Sequence, residues 1–170
     1  TSSASLLMAR LTGLPLADCV GRGTGRDDAG LVRKLGVLGE ALAVNAAAQT
    51  PLQIAAALGG FEIVTMAGSI IASAAQRRVV VVDGFITTAA VALAEALQPG
   101  VLAACVFAHR SAEGPHARWL QYLAVRPLLD LELRLGEGSG AALAWPLLTA
   151  ACALLADMAS FDSAGVSNRA

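Results

Sequence analysis

Two apolar runs limit what this chain can fold into more than any other feature: "RRVVVVDGF" at 77–85 and "GVLAACVFAHRS" at 100–111. Each is apolar without alternation and then gives way to polar residues or glycine. A strand with one wet face would alternate, whereas a strand covered on both faces, as in a parallel sheet, is apolar throughout. Alanine-rich stretches with helical spacing surround them, at 3–11, 31–48, 50–58, 62–75, 87–97 and 140–159. That alternation predicts one α/β domain, an open parallel sheet with helices on both faces in a Rossmann-like, three-layer arrangement. In such sheets ligands bind beyond the carboxyl ends of the strands, so the loops there are where chemistry is expected.

Composition narrows the function classes. The chain has 170 residues, 56% of them apolar, enough for one sizeable core. Its 12 basic and 13 acidic residues form no basic run or stripe, which argues against a nucleic-acid surface. Mean hydropathy is +0.64, but much of it comes from alanine. The longest uncharged stretch, 139–156, contains Gly140 and Pro146 and reads as a buried helix rather than a membrane span. The three cysteines, Cys19, Cys105 and Cys152, lie far apart in apolar contexts without a CxxC, the pattern of free thiols in a reducing cytoplasm. The abrupt polar start "TSSAS" at Thr1 predicts a piece of a longer chain.

Several loops carry candidate chemistry. "GRGTG" at 21–25 can cradle a phosphate through its backbone N–H groups, although it lacks both the GxGxxG spacing and a GK[ST]. Asp83 and Gly84 follow the valine run, either to meet a ribose hydroxyl or as an ordinary Asp-Gly turn. "HRSAEGPH" offers His109, Ser111, Glu113 and His116 as a polar ligand-binding loop, without the spacing of a zinc site or the GxSxG of a nucleophile elbow. Glu62 reads as an early helical acid, Met66 as core and Lys34 as a solvated helical charge. "LGEGSG" puts Glu137 between glycines, beside apolar sequence that predicts a partly desolvated setting. It is either an acid open to a ligand or a solvated turn residue. Each of these loops is expected to follow a strand-like run and to converge at one sheet edge.

Taken in order, "VGRGTGRDDAGLVRK", "LGGFEIVTMAGSI", "VDGFITTAA", "HRSAEGPH", "PLLDLELRLGEGSGAALAWPLL" and "MASFDSAGVS" resemble the nicotinate-nucleotide–dimethylbenzimidazole phosphoribosyltransferases of cobalamin lower-ligand synthesis. The resemblance covers essentially the whole chain, departing at "SAEGPH", where the family has "SAEPGH". It implies that residues 1–145 are the C-terminal part of a large Rossmann-like domain. Residues 146–170 would be a helical segment that packs on N-terminal helices outside this sequence.

The resemblance also implies a reaction: the 5-phosphoribosyl group moves from nicotinate mononucleotide to a ring nitrogen of 5,6-dimethylbenzimidazole, giving α-ribazole 5′-phosphate and nicotinate. Glu137 is then the base that takes the proton from the other azole nitrogen, with Leu135 walling the ring pocket. Gly23 falls near the nucleotide, Lys34 near a phosphate or carboxylate, and Gly84 and Ser111 around the phosphoribosyl group. The leaving nicotinate ring departs from an already cationic pyridinium, so the resemblance implies neither metal nor cofactor. It implies a cytoplasmic homodimer acting on small molecules, with no membrane partner. A non-catalytic nucleotide-binding or assembly module of the same fold is the alternative. A nicotinamide-dependent dehydrogenase is disfavoured by the missing GxGxxG.

Overall fold

A computed structural model describes residues 1–21 and 28–166. The two apolar runs do form strands, β1 (Val80–Val82) and β2 (Cys105–Phe107). They pair in parallel with Val80 opposite Cys105, Val81 opposite Val106 and Val82 opposite Phe107. The crossover between them is the helix α6 (Phe85–Leu97), which makes this a β-α-β unit and an α/β fold.

Helix α6 is the centre of the molecule. Phe85 and every residue from 88 to 94 are buried, so the helix is covered all round rather than on one stripe. Its alanines allow neighbouring helices to approach closely. Against it pack α1 (Ser2–Thr12), through Ala4, Leu7 and Met8, and α5 (Phe61–Ala75), through Ile63, Ala67 and Ile70. Trp119 of α7 (His116–Tyr122) belongs to the same core.

Local chemistry sets the element ends. Gly13, at φ +71°, closes α1 in the left-handed conformation, with its N–H donating to Ala9 O at 3.1 Å. Thr50 and Gln53 make a reciprocal capping box around α4 (Pro51–Ile54), which continues as one wide π turn over Ala55–Gly59. The Glu95 carboxylate accepts the N–H groups of Gly100 and Leu102 at 2.9 and 3.0 Å, fixing the return from α6 to β2. A short helix, α2 (Leu16–Cys19), precedes α3 (Asp28–Val44), near whose C-terminal end the carbonyls of Leu42 and of Asn45 just beyond it accept from Arg10. The final helix, α8 (Ser139–Asp157), carries Pro146 inside it.

Three sequence expectations are corrected here. "LADCV" forms the four-residue helix α2, because Pro15 leads into a turn that Asp18 N closes by donating to Pro15 O at 2.9 Å. "LELRL" makes no strand, because Glu132 turns into the left-handed region at φ +53°: its neighbourhood contributes one isolated parallel bridge, His109 to Leu129, and a bond from Ala112 N to Leu133 O. Helix α8 forms as expected but is not buried within this chain. Only Gly140 and Ala144 are covered, since contact is made through the first turns alone. By length and composition it is apolar enough to cross a membrane, with mean hydropathy 1.6 and 11% of that window buried.

Candidate active site

One cavity of about 520 Å³ opens at the carboxyl end of the strands. Gly84, Ser111, Leu135 and Glu137, predicted from separate parts of the sequence, all line it, together with Asp83, Glu113 and Arg134. The loops after β1 and β2 and the glycine-rich turn before α8 therefore share one site. Gly21 approaches from the side, next to Glu113, in an adjoining cleft that Arg134 also lines. Gly23 and the rest of "GRGTG" lie outside the described residues.

The turn that carries Glu137 is built tightly. Glu137 and Gly138 are both left-handed, at φ +63° and +80°, and Ser139 N donates across them to Gly136 O at 3.2 Å. This is the type I′ arrangement, with φ positive at both central residues. Gly138 adopts it freely, whereas at Glu137 the Cβ makes it cost roughly 1 kcal/mol. Glu137 is exposed, which corrects the partly desolvated setting expected from the sequence: the left-handed turn leaves its side chain open to solvent. Among the described residues its carboxylate has no hydrogen-bond or ion-pair partner, which leaves it available to a ligand.

Asp83 explains how that turn is held. Its Oδ1 accepts the N–H of Ala141 in the first turn of α8 at 3.0 Å, acting as a cap supplied from the end of β1. Neither the ribose contact nor the plain turn considered from sequence includes this role. Gly140 makes it possible. A Cβ there would collide with the His109 ring and come within 2.7 Å of Asp83 Oδ1. The glycines of "GEGSG" thus serve a left-handed turn and a close helix approach.

The histidines of "HRSAEGPH" are internal, which corrects their place in a ligand-facing loop: His109 and His116 are buried, while Ser111 and Glu113 reach the cavity. His116 Nδ1 lies 2.9 Å from Ser111 N, and its Nε2 lies 2.9 Å from Thr88 Oγ1. Burial, followed by the neighbouring His109 and opposed by Asp83, pushes its pKa down to about 4, so the ring is neutral at ordinary pH. His109 Nε2 stands 3.6 Å from Asp83 Oδ1, beyond hydrogen-bonding distance, and among the described residues neither of its ring nitrogens has a hydrogen-bond partner.

Lys34 is 9% exposed on α3, which corrects its reading as a solvated charge. Its ammonium acts electrostatically on Thr1, a residue of the cavity wall. Glu62 does sit in the first turn of α5, and Met66 packs on the core while reaching the cavity.

Residues 1–166 match the family described as "Phosphoribosyltransferase". A Cupriavidus necator protein named nicotinate-nucleotide–dimethylbenzimidazole phosphoribosyltransferase is 60% identical over 167 residues, 98% of this chain and 48% of that protein. A Variovorax paradoxus protein of the same name is 57% identical, covering 99% of this chain and 48% of its own length. The crystal structure of CobT from Thermus thermophilus superposes with a TM-score of 0.91 at 44% identity, over 99% of this chain and 50% of that one. The chain belongs to the nicotinate-nucleotide–dimethylbenzimidazole phosphoribosyltransferase family. It spans about half the length of the curated relatives it matches.

Within this family fold, the sequence reading overlooked Arg134 and Thr88. Arg134 lies in "LELRL", where a strand assignment drew attention to the leucines. Thr88 lies in "FITTAA", where helical periodicity made it one more position on an apolar face. The one available signal for Thr88 was a hydroxyl leading into an alanine-rich helix, because a buried hydroxyl needs a partner.

Proposed function

We propose that this chain supplies the acid–base side of a phosphoribosyl transfer from nicotinate mononucleotide to 5,6-dimethylbenzimidazole. One azole nitrogen uses its lone pair to form a bond to ribose C1′. The C1′–N bond to the nicotinate ring breaks, and its electron pair neutralises the pyridinium. The proton on the other azole nitrogen passes to the Glu137 carboxylate. Products are α-ribazole 5′-phosphate and nicotinate, and no step needs a metal to neutralise a leaving group.

The observation that carries this reading is Glu137 itself: an unpartnered carboxylate on a strained left-handed backbone at the mouth of a 520 Å³ cavity. Backbone outliers of this kind cluster at functional sites. In the same reading Leu135, 73% exposed at the cavity wall, packs against the flat azole. Gly84 and Ser111 face the phosphoribosyl group, Gly23 lies near the nucleotide, and Lys34 serves the phosphate or the nicotinate carboxylate. Residues 1–145 belong to the large catalytic domain. The segment 146–170 packs on helices from the remaining length that the relatives possess, rather than on lipid. The whole enzyme is a cytoplasmic homodimer.

The test is chromatography of products after incubating the full-length protein with both substrates. α-Ribazole 5′-phosphate and nicotinate in equal amounts support the reading. Binding of nicotinate mononucleotide without any turnover would support a non-catalytic module instead.

A further inference from the structure

A line of hydrogen bonds runs beneath the cavity from the loop after β2 to the loop after β1, and its polarity is fixed by its ends. The Ser111 N–H can only donate, so His116 Nδ1, 2.9 Å away, accepts and carries no proton. The proton of the neutral ring is therefore on Nε2, which donates to Thr88 Oγ1 at 2.9 Å. That leaves the Thr88 hydroxyl hydrogen to donate to Gly84 O at 2.8 Å. Each group has one role, and a second proton on His116 would set donor against donor at Ser111.

The line joins the loops at Ser111 and Gly84, between which no direct hydrogen bond runs among the described residues. The strand pairing ends with Ala108 N donating to Val82 O at 2.8 Å, and the chain then diverges into separate loops. Gly84 and Ser111 nevertheless remain adjacent, so that a Cβ on Gly84 would lie 3.8 Å from Ser111 Cβ. His116 and Thr88 are both fully buried, and neither lines the cavity.

We propose that His116 and Thr88 are positioning residues that set the distance between Ser111 and Gly84 and thereby shape the phosphoribosyl side of the site. The proposal rests on the functional reading above and adds to it residues that touch no substrate. Because the azole end of the cavity is carried by the 136–138 turn, loosening the tether acts on one substrate and spares the other.

The experiment compares Thr88→Val and Thr88→Ser with wild type in the full-length enzyme. Steady-state kinetics is run with each substrate varied in turn, alongside thermal melting and ¹⁵N spectra of the His116 ring. Valine keeps the shape and removes both hydrogen bonds; serine restores the hydroxyl. The expected result is a KM for nicotinate mononucleotide raised about tenfold in Thr88→Val, about 1.4 kcal/mol. The KM for dimethylbenzimidazole should be unchanged, and the serine variant should return to within about threefold of wild type, about half of the tenfold effect in free energy. Wild-type ring shifts should report the Nε2–H tautomer. An unchanged donor KM in Thr88→Val overturns the proposal. So does a parallel rise in both KM values with a lower melting temperature, or an Nδ1–H ring in the wild type. Absence of turnover in the wild type overturns the functional reading itself, and the role assigned to the tether with it.

Discussion

Glu137 occupies a backbone conformation that glycine would adopt freely and asparagine at small cost. Its carboxylate has no partner among the described residues, so replacing it removes strain and loses no contact. Glu137→Asn is therefore expected to stabilise the protein by roughly 0.5–1 kcal/mol while abolishing transfer, read as a higher urea midpoint with the same slope. A lower midpoint would mean that the side chain contributes to the fold. His116 gives a second prediction at this scale. Its folded pKa of about 4 lies below the 6.5 of an unconstrained histidine, and His109 and Asp83 are the titratable groups that act on it. The unfolded chain thus takes up the proton first. Stability from neutral His116 is fully present above pH 6.5 and is lost as pH falls towards 4, a loss on the order of 3 kcal/mol. Urea midpoints from pH 7.5 to 4.5 should show this decline. His116→Gln should flatten it, and an equal slope in the variant would assign the loss to other groups.

Among the elements, α8 is held to the sheet by its first turn, where Gly140 lies against His109 and Ala141 is capped by Asp83. Gly140→Ala is expected to push the helix start away and unseat the Glu137 turn. Amide exchange at Ala141 should then rise at least ~tenfold, while α6 stays protected. Unchanged protection at Ala141 would show that the contact yields. In α6 the constraint is volume: Ala90 is fully buried, and Ala90→Leu should cost about 1–3 kcal/mol in thermal or urea unfolding, with a near-neutral result indicating unfilled space. The elements were legible in proportion to how local their causes are. The valine run and the alanine periodicity of α6 act within a few residues, and both elements formed where expected. The site was legible through the glycine-flanked acid and the strand ends. Asp83 as a cap and the His116–Thr88 link were not, because each joins residues 58 and 28 positions apart. Nothing near Asp83 in the sequence announces Ala141.

Across the whole molecule, the apolar surface is uneven. The core around α6 is complete, yet α8 and the following residues expose Trp145, Leu147, Leu154, Leu155, Met158 and Phe161. Contiguous apolar surface of this kind normally marks an interface. The 170-residue chain alone is expected to self-associate at micromolar concentration in sedimentation velocity, and a monodisperse monomer would show that this surface is tolerated in water. The central claim, however, rests on one carboxylate, and its test is kcat of Glu137→Gln in the full-length enzyme. The amide keeps the shape and the backbone strain but cannot take the azole proton, so kcat should fall at least ~100-fold. Circular dichroism, melting temperature and affinity for nicotinate mononucleotide should stay unchanged. Turnover within a few-fold of wild type in that folded variant would contradict Glu137 as the base and remove the observation on which the functional account stands.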